Sequence, residues 1–140
     1  MMAGAIVFGL LMERLGVVGG FVRWLSGVIP DVGPVGAALA VSAITIFGTE
    51  VVSNTAAALA MWPVAEALAG SGGFAALPVM VCVGIAANCA FMSPVATGAT
   101  AMAFGGLPGL RLRRMLLVGT VMNLVASALI AGVGIYSYSF

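Results

Sequence analysis

The sequence has no histidine, and only nine of its 140 side chains are charged, five arginines against four acids. That is 6% of the chain, against roughly 25% in an ordinary soluble domain. So little charge excludes a water-soluble globular protein. With 63% hydrophobic residues and a mean hydropathy of +1.25, a compact domain would expose far more apolar area than a monomer tolerates in water. Its solvent is lipid. No basic run is present, which excludes nucleic acid as a partner. Without histidine, Cys82 and Cys89 lack co-ligands for a zinc site, and inside the longest apolar run they read as small buried hydrophobes. No nucleophile and base pair is visible, which argues against an enzyme. No basic segment precedes the first apolar stretch, which argues against a cleavable signal peptide.

What is present is arranged in blocks. The charges are Glu13, Arg14, Arg23, Asp31, Glu50, Glu66, Arg111, Arg113 and Arg114, separated by uncharged runs at 32–49, 51–65, 67–110 and 115–140. Residues 1–31 read as a partial span followed by an interfacial segment with balanced charges and Trp24. Pro30, Gly33 and Pro34 then open an apolar block with a polar cluster, Thr49, Glu50, Ser53, Asn54 and Thr55, at its middle. As one helix that block would be roughly 50 Å long, against a hydrocarbon core of about 30 Å. A hairpin that enters, turns near the midplane and returns needs less length per arm, so 33–69 is expected to be re-entrant. Gly70, Ser71, Gly72 and Gly73 end it. Residues 74–106 form a second overlong block, interrupted by hydroxyls around Pro94 and Gly98, and are expected to be a helix broken within the membrane. The arginines at 111–114 mark the cytoplasmic side, 115–137 is a final span, and the hairpin then opens outward.

Two interrupted helices are the sequence mark of a transporter's binding site. Ser53, Asn54 and Thr55 are consecutive, so on a continuous helix they would point about 100° apart and at least one would meet lipid. A helix start resolves this, with its free amides able to hold an anion's oxygens. Ser42, Thr45, Thr49 and Ser53 form a polar stripe leading to the tip. Ser42 and Thr45 suit close helix packing, whereas hydroxyls and carbonyls stacked at the break suit sodium. Glu50 needs a partner or a proton, as a proton carrier, a cation ligand or an anchor of the tip. Asn123, alone in the last span, reads as interhelical glue.

The stretch Thr49-Glu50-Val51-Val52-Ser53-Asn54-Thr55, followed by Ala57 to Pro63, and the stretch Cys89-Ala90-Phe91-Met92-Ser93-Pro94-Val95-Ala96-Thr97 resemble the divalent anion/sodium symporters, as do Phe104-Gly105, Leu117-Val118-Gly119 and Asn123-Leu124. The resemblance implies an all-α membrane protein: part of an inverted-repeat transporter, with a re-entrant helical hairpin and a discontinuous transmembrane helix. It implies that Thr49, Asn54 and the carbonyls of Val52 and Ala96 hold a sodium ion, and that Ser53, Asn54, Thr55 and Thr97 face the anion. The family's Thr-Pro-Pro-Asn is replaced here by Thr97, Gly98, Ala99 and Thr100, which widens the substrate range to sulfate as well as di- and tricarboxylates. On this reading the chain is one part of a transporter. Its partners are a small anion, the lipid bilayer, and an N-terminal repeat or partner chain that completes the transporter, which when complete is a homodimer in a bacterial or archaeal inner membrane. The alternatives are a cation/proton antiporter of the same superfamily and a membrane subunit that transports nothing.

Overall fold

A computed structural model describes residues 33–94, 96–106 and 111–137, together with scattered positions between Val7 and Gly27. The expected partial span and interfacial segment at 1–31 therefore lie largely outside the described residues, as do Val95 and the loop at 107–110. All regular structure among the described residues is helical: α1 (Pro34–Thr49), α2 (Asn54–Gly72), α3 (Ala76–Ala86), α4 (Gly98–Gly106) and α5 (Leu112–Ser137).

Several helix ends have a local reason. Pro34 opens α1 where its missing N–H has no intrahelical partner in any case. After Thr49 the amides of Val51 and Val52 both return to the Gly48 carbonyl, and the chain turns through 50–53. Ser53 caps α2 in extended geometry, its Oγ accepting from the Ala56 amide at 3.3 Å. The glycines at 70 and 72, read from sequence as a terminating loop, continue the helix instead. The stop comes at Gly73, whose φ of 68° is left-handed and whose N–H donates to the Ala69 carbonyl. Pro78 is tolerated in α3 because it falls among the first, unpaired amides. Thr97 and Thr100 cap α4 reciprocally: the Thr100 amide donates to Thr97 Oγ1 and the Thr97 amide to Thr100 Oγ1, each at 3.1 Å.

The interruption in 74–106 is longer than the proline and glycine signals foretold. α3 stops at Ala86 and α4 starts at Gly98, leaving the described residues between them, 87–94 and 96–97, outside any helix. At 11 residues α3 is ~16 Å long, and at 16 residues α1 is ~24 Å, both short of a bilayer core. Only α5 among the described helices is long and apolar enough to cross one, with 26 residues and a mean hydropathy of 2.1 over its most apolar window.

α1 lies at the centre, packed against α2, α3 and α5, while α3 touches α2 and α5 as well. One core joins Val41 of α1 to Met61, Val64 and Leu68 of α2 and to Val79 and Val83 of α3. A second joins Ala38 and Ile46 to Cys82, Ala86, Ile130 and Ala131. Among lipid tails apolar burial alone drives little association, so close approach matters more. It is provided by the small residues Gly119, Ser127, Ala131 and Gly134 on the buried stripe of α5, which also carries Asn123 and Ile130. A Cβ on Gly134 would strike Cys82 Sγ, and one on Gly119 would strike the backbone of Phe91 and Met92. The opposite face of α5 leaves Leu117, Val121, Leu124, Leu129 and Val133 exposed.

Candidate functional site

The polar stripe of α1 is buried along its length: Ser42, Thr45 and Thr49 have no exposed surface. Thr45 bonds back to the Val41 carbonyl at 2.6 Å and is satisfied within its own helix. Thr49, the last residue of α1, points outward from it. Its Oγ1 lies 2.7 Å from Asn54 Oδ1 and 3.2 Å from the Ala87 carbonyl oxygen. Three neutral oxygens therefore converge where α1 ends, α2 begins and α3 ends. The single hydroxyl proton can serve only one of them at a time, so the cluster holds more lone pairs than protons. That is a donor set suited to a hard cation, with Thr49 turning its proton away and Asn54 offering its amide oxygen.

The other expected residues are arranged around this point. Val52 lies in the turn and is 48% exposed, Ser53 and Thr55 are exposed, and Asn54 is half-buried. Asn54 and Thr55 line a cavity of about 250 Å³ with Ala58, Trp62, Ala87 and Asn88. Ala96 and Thr97 lie in the stretch between α3 and α4, where Thr97 is engaged with Thr100. The structure thus brings Thr49 and Asn54 into contact, while neither shares a hydrogen bond with Ala96 or Thr97 among the described residues. The Ala87 carbonyl and Asn88 were not legible in the sequence, because both sit in an apolar run ahead of the proline that marked the break.

Glu50 connects the two halves. It is buried, with 5% of its surface exposed. Its Oε1 accepts from the Met92 amide and from Asn123 Nδ2, each at 2.8 Å, and its Oε2 accepts from the Ser93 amide at 2.7 Å. Asn123 Oδ1 in turn accepts from the Phe91 amide at 3.2 Å. Three consecutive amides that no helix satisfies are thus met by two side chains from other elements.

Comparison with known proteins gives the sequence a family. No protein-family model matches the chain. An uncharacterized transporter of Haemophilus influenzae is 41% identical over 96 residues, which is 69% of this chain and 21% of that protein. The sodium-dependent dicarboxylate transporter SdcS of Staphylococcus saprophyticus is 33% identical over 114 residues, 79% of this chain and 22% of its own length. The chain is a homologue of the C-terminal part of the divalent anion/sodium symporters. SdcS of Staphylococcus aureus agrees, at 38% identity over 82 residues, 59% of this chain and 16% of that protein. The chain spans about a fifth of the length of the curated symporter-family relatives it matches. These relatives are transporters and not enzymes, and with the apolar span of α5 they support a membrane location.

Proposed function

We propose that this chain supplies one half of the ion and anion site of a sodium-coupled symporter for dicarboxylates. The observation that carries the reading is the oxygen cluster of Thr49, Asn54 and Ala87, built at a helix interruption by a sequence homologous to sodium-dependent dicarboxylate transporters. Sodium enters as a co-transported ion, not as a resident cofactor. Thr49 and Asn54 with the carbonyls of Val52, Ala87 and Ala96 hold it, and Ser53, Asn54, Thr55 and Thr97 face the anion. The N-terminus of α2 supports the anion role, since its first amides and its dipole favour negative charge. The turn at 50–53 is the tip of a re-entrant hairpin formed by α1 and α2, and the non-helical residues after Ala86 open the gap in a discontinuous transmembrane helix formed by α3 and α4. Such irregular backbone is tolerated at membrane depth only where protein or a cavity surrounds it. The exposed tip residues Val51, Val52, Ser53 and Thr55 are covered by the rest of the transporter, a first repeat that supplies the opposing tip, within a homodimer of the inner membrane.

The test is uptake of labelled succinate into vesicles containing the assembled transporter, with and without a sodium gradient, and with citrate and sulfate as competitors. Saturable uptake driven by sodium and competed by dicarboxylates is expected. Uptake indifferent to sodium but driven by a pH gradient would replace symport with proton-coupled exchange. Absence of flux under every gradient would leave a membrane subunit that transports nothing.

A further inference from the structure

We infer that Glu50 is a positioning residue which, with Asn123, locks the non-helical stretch at 91–93 to the turn that carries Thr49 and Asn54, and so sets the spacing between the two halves of the site. The inference rests on the symport reading and goes beyond it, because neither residue touches the ion or the anion in that reading.

Glu50 directly follows Thr49, so a backbone shift at one residue is passed to the other. Its contacts reach 42, 43 and 73 residues along the chain, to Met92, Ser93 and Asn123. Among the described residues all three contacts are with donors, two at Oε1 and one at Oε2, so the carboxyl group meets them as an acceptor. The amides it meets lie only a few residues before Ala96 and Thr97. Without Glu50 and Asn123, the amides of Phe91, Met92 and Ser93 would lose these partners. α5 completes the lock. Gly119 has no side chain, which lets the helix backbone reach Phe91 and Met92, and Thr120 Oγ1 lies 3.2 Å from Met92 Sδ. The arrangement is a clamp of one carboxylate, one amide and one glycine around three residues of backbone.

The experiment compares wild type with Glu50→Gln in the assembled transporter, using sodium and succinate as probes. Two quantities are read: hydrogen exchange of the 91–93 amides, and the gain in succinate affinity that saturating sodium produces. In Glu50→Gln one acceptor oxygen becomes an NH₂ that faces backbone donors. Exchange at 91–93 is expected to rise at least tenfold while exchange in α2 and α3 stays unchanged, and the sodium-dependent gain is expected to fall at least tenfold. Combining Glu50→Gln with Asn123→Asp restores the contact between residues 50 and 123 but leaves the new NH₂ facing a backbone donor, so both readouts should stay impaired. Where Glu50→Gln does not assemble, Asn123→Ala, which removes the acceptor of Phe91 and one donor to Glu50, carries the same two readouts. Slow exchange in the variant overturns the clamp, and fast exchange with the full sodium gain overturns its role in positioning. A wild type that gains no succinate affinity from sodium overturns the symport reading and the positioning role together, which separates that failure from failure of the clamp alone.

Discussion

Replacing Gly119 and Gly132 by alanine, each in turn, places the same extra methyl group on the same helix in two different surroundings. In a helix interior, alanine is favoured over glycine by about 0.8–1 kcal/mol. Around Gly132 a Cβ would meet nothing within 4 Å, so Gly132→Ala should gain that amount. At Gly119 the added carbon would collide with Met92 Cα and the Phe91 carbonyl and sit 2.7 Å from the Met92 nitrogen. These neighbours are backbone atoms held by Glu50 and Asn123, and cannot swing aside as a side-chain end would. Overpacking of this kind costs about 1–3 kcal/mol. Because the propensity gain is common to both variants, their difference isolates the steric term, and Gly119→Ala should lie below Gly132→Ala by about 1–3 kcal/mol. The assay is equilibrium unfolding of the assembled transporter in mixed detergent and denaturing detergent micelles, followed by circular dichroism. Equal stability of the two variants would mean that α5 does not press against the 91–92 backbone, and the clamp would lose its back wall.

Three other outcomes follow from the packing and the caps. Gly134→Ala should cost less than Gly119→Ala because it meets Cys82 Sγ, a movable atom, and Cys82→Ala in the same background should relieve the loss; an unrelieved loss in the double variant contradicts the contact. Thr97→Val removes a cap of α4 and should lower local stability by about 0.5–2 kcal/mol, read as faster hydrogen exchange confined to 97–106, and exchange at the wild-type rate counts against the reciprocal cap. Impermeant maleimide should label Gly72→Cys only from outside and Arg113→Cys only from the cytoplasm, in a background lacking Cys82 and Cys89, and the reverse pattern inverts the proposed orientation.

The turn between α1 and α2 was legible in the sequence, because an apolar block too long for one span had its polar residues gathered at the centre and a good capping serine among them. α1 ends at Thr49 and α2 begins at Asn54, where that reasoning put the interruption. The end of α3 was not legible. Pro94 and Gly98 pointed to a break around 93–100, but the helix stops at Ala86, ahead of any residue that breaks helices on its own. What holds 91–93 out of the helix is a pair of side chains from α5 and the end of α1, and a contact across 42 or 73 residues leaves no local signature. The same holds for Glu50: its isolation in an apolar block announced that it needed a partner, while the identity of that partner is a property of the packing. The glycines at 70–73 misled in the opposite sense, since only Gly73 adopts a conformation that glycine favours.

Whether the oxygen cluster binds sodium is tested most directly by sodium titration of the assembled transporter without anion, comparing wild type, Thr49→Val and Thr55→Ala by calorimetry. Thr49→Val keeps the size of the side chain and removes the hydroxyl that lies 2.7 Å from Asn54 Oδ1. An interaction with a charged group is worth about 1.5–3 kcal/mol, so the sodium dissociation constant should rise tenfold or more. Thr55→Ala should leave sodium affinity nearly unchanged and weaken succinate binding at saturating sodium. Unchanged sodium affinity in Thr49→Val, with its loss in Thr55→Ala, would contradict the assignment of the ion to the junction of α1, α2 and α3.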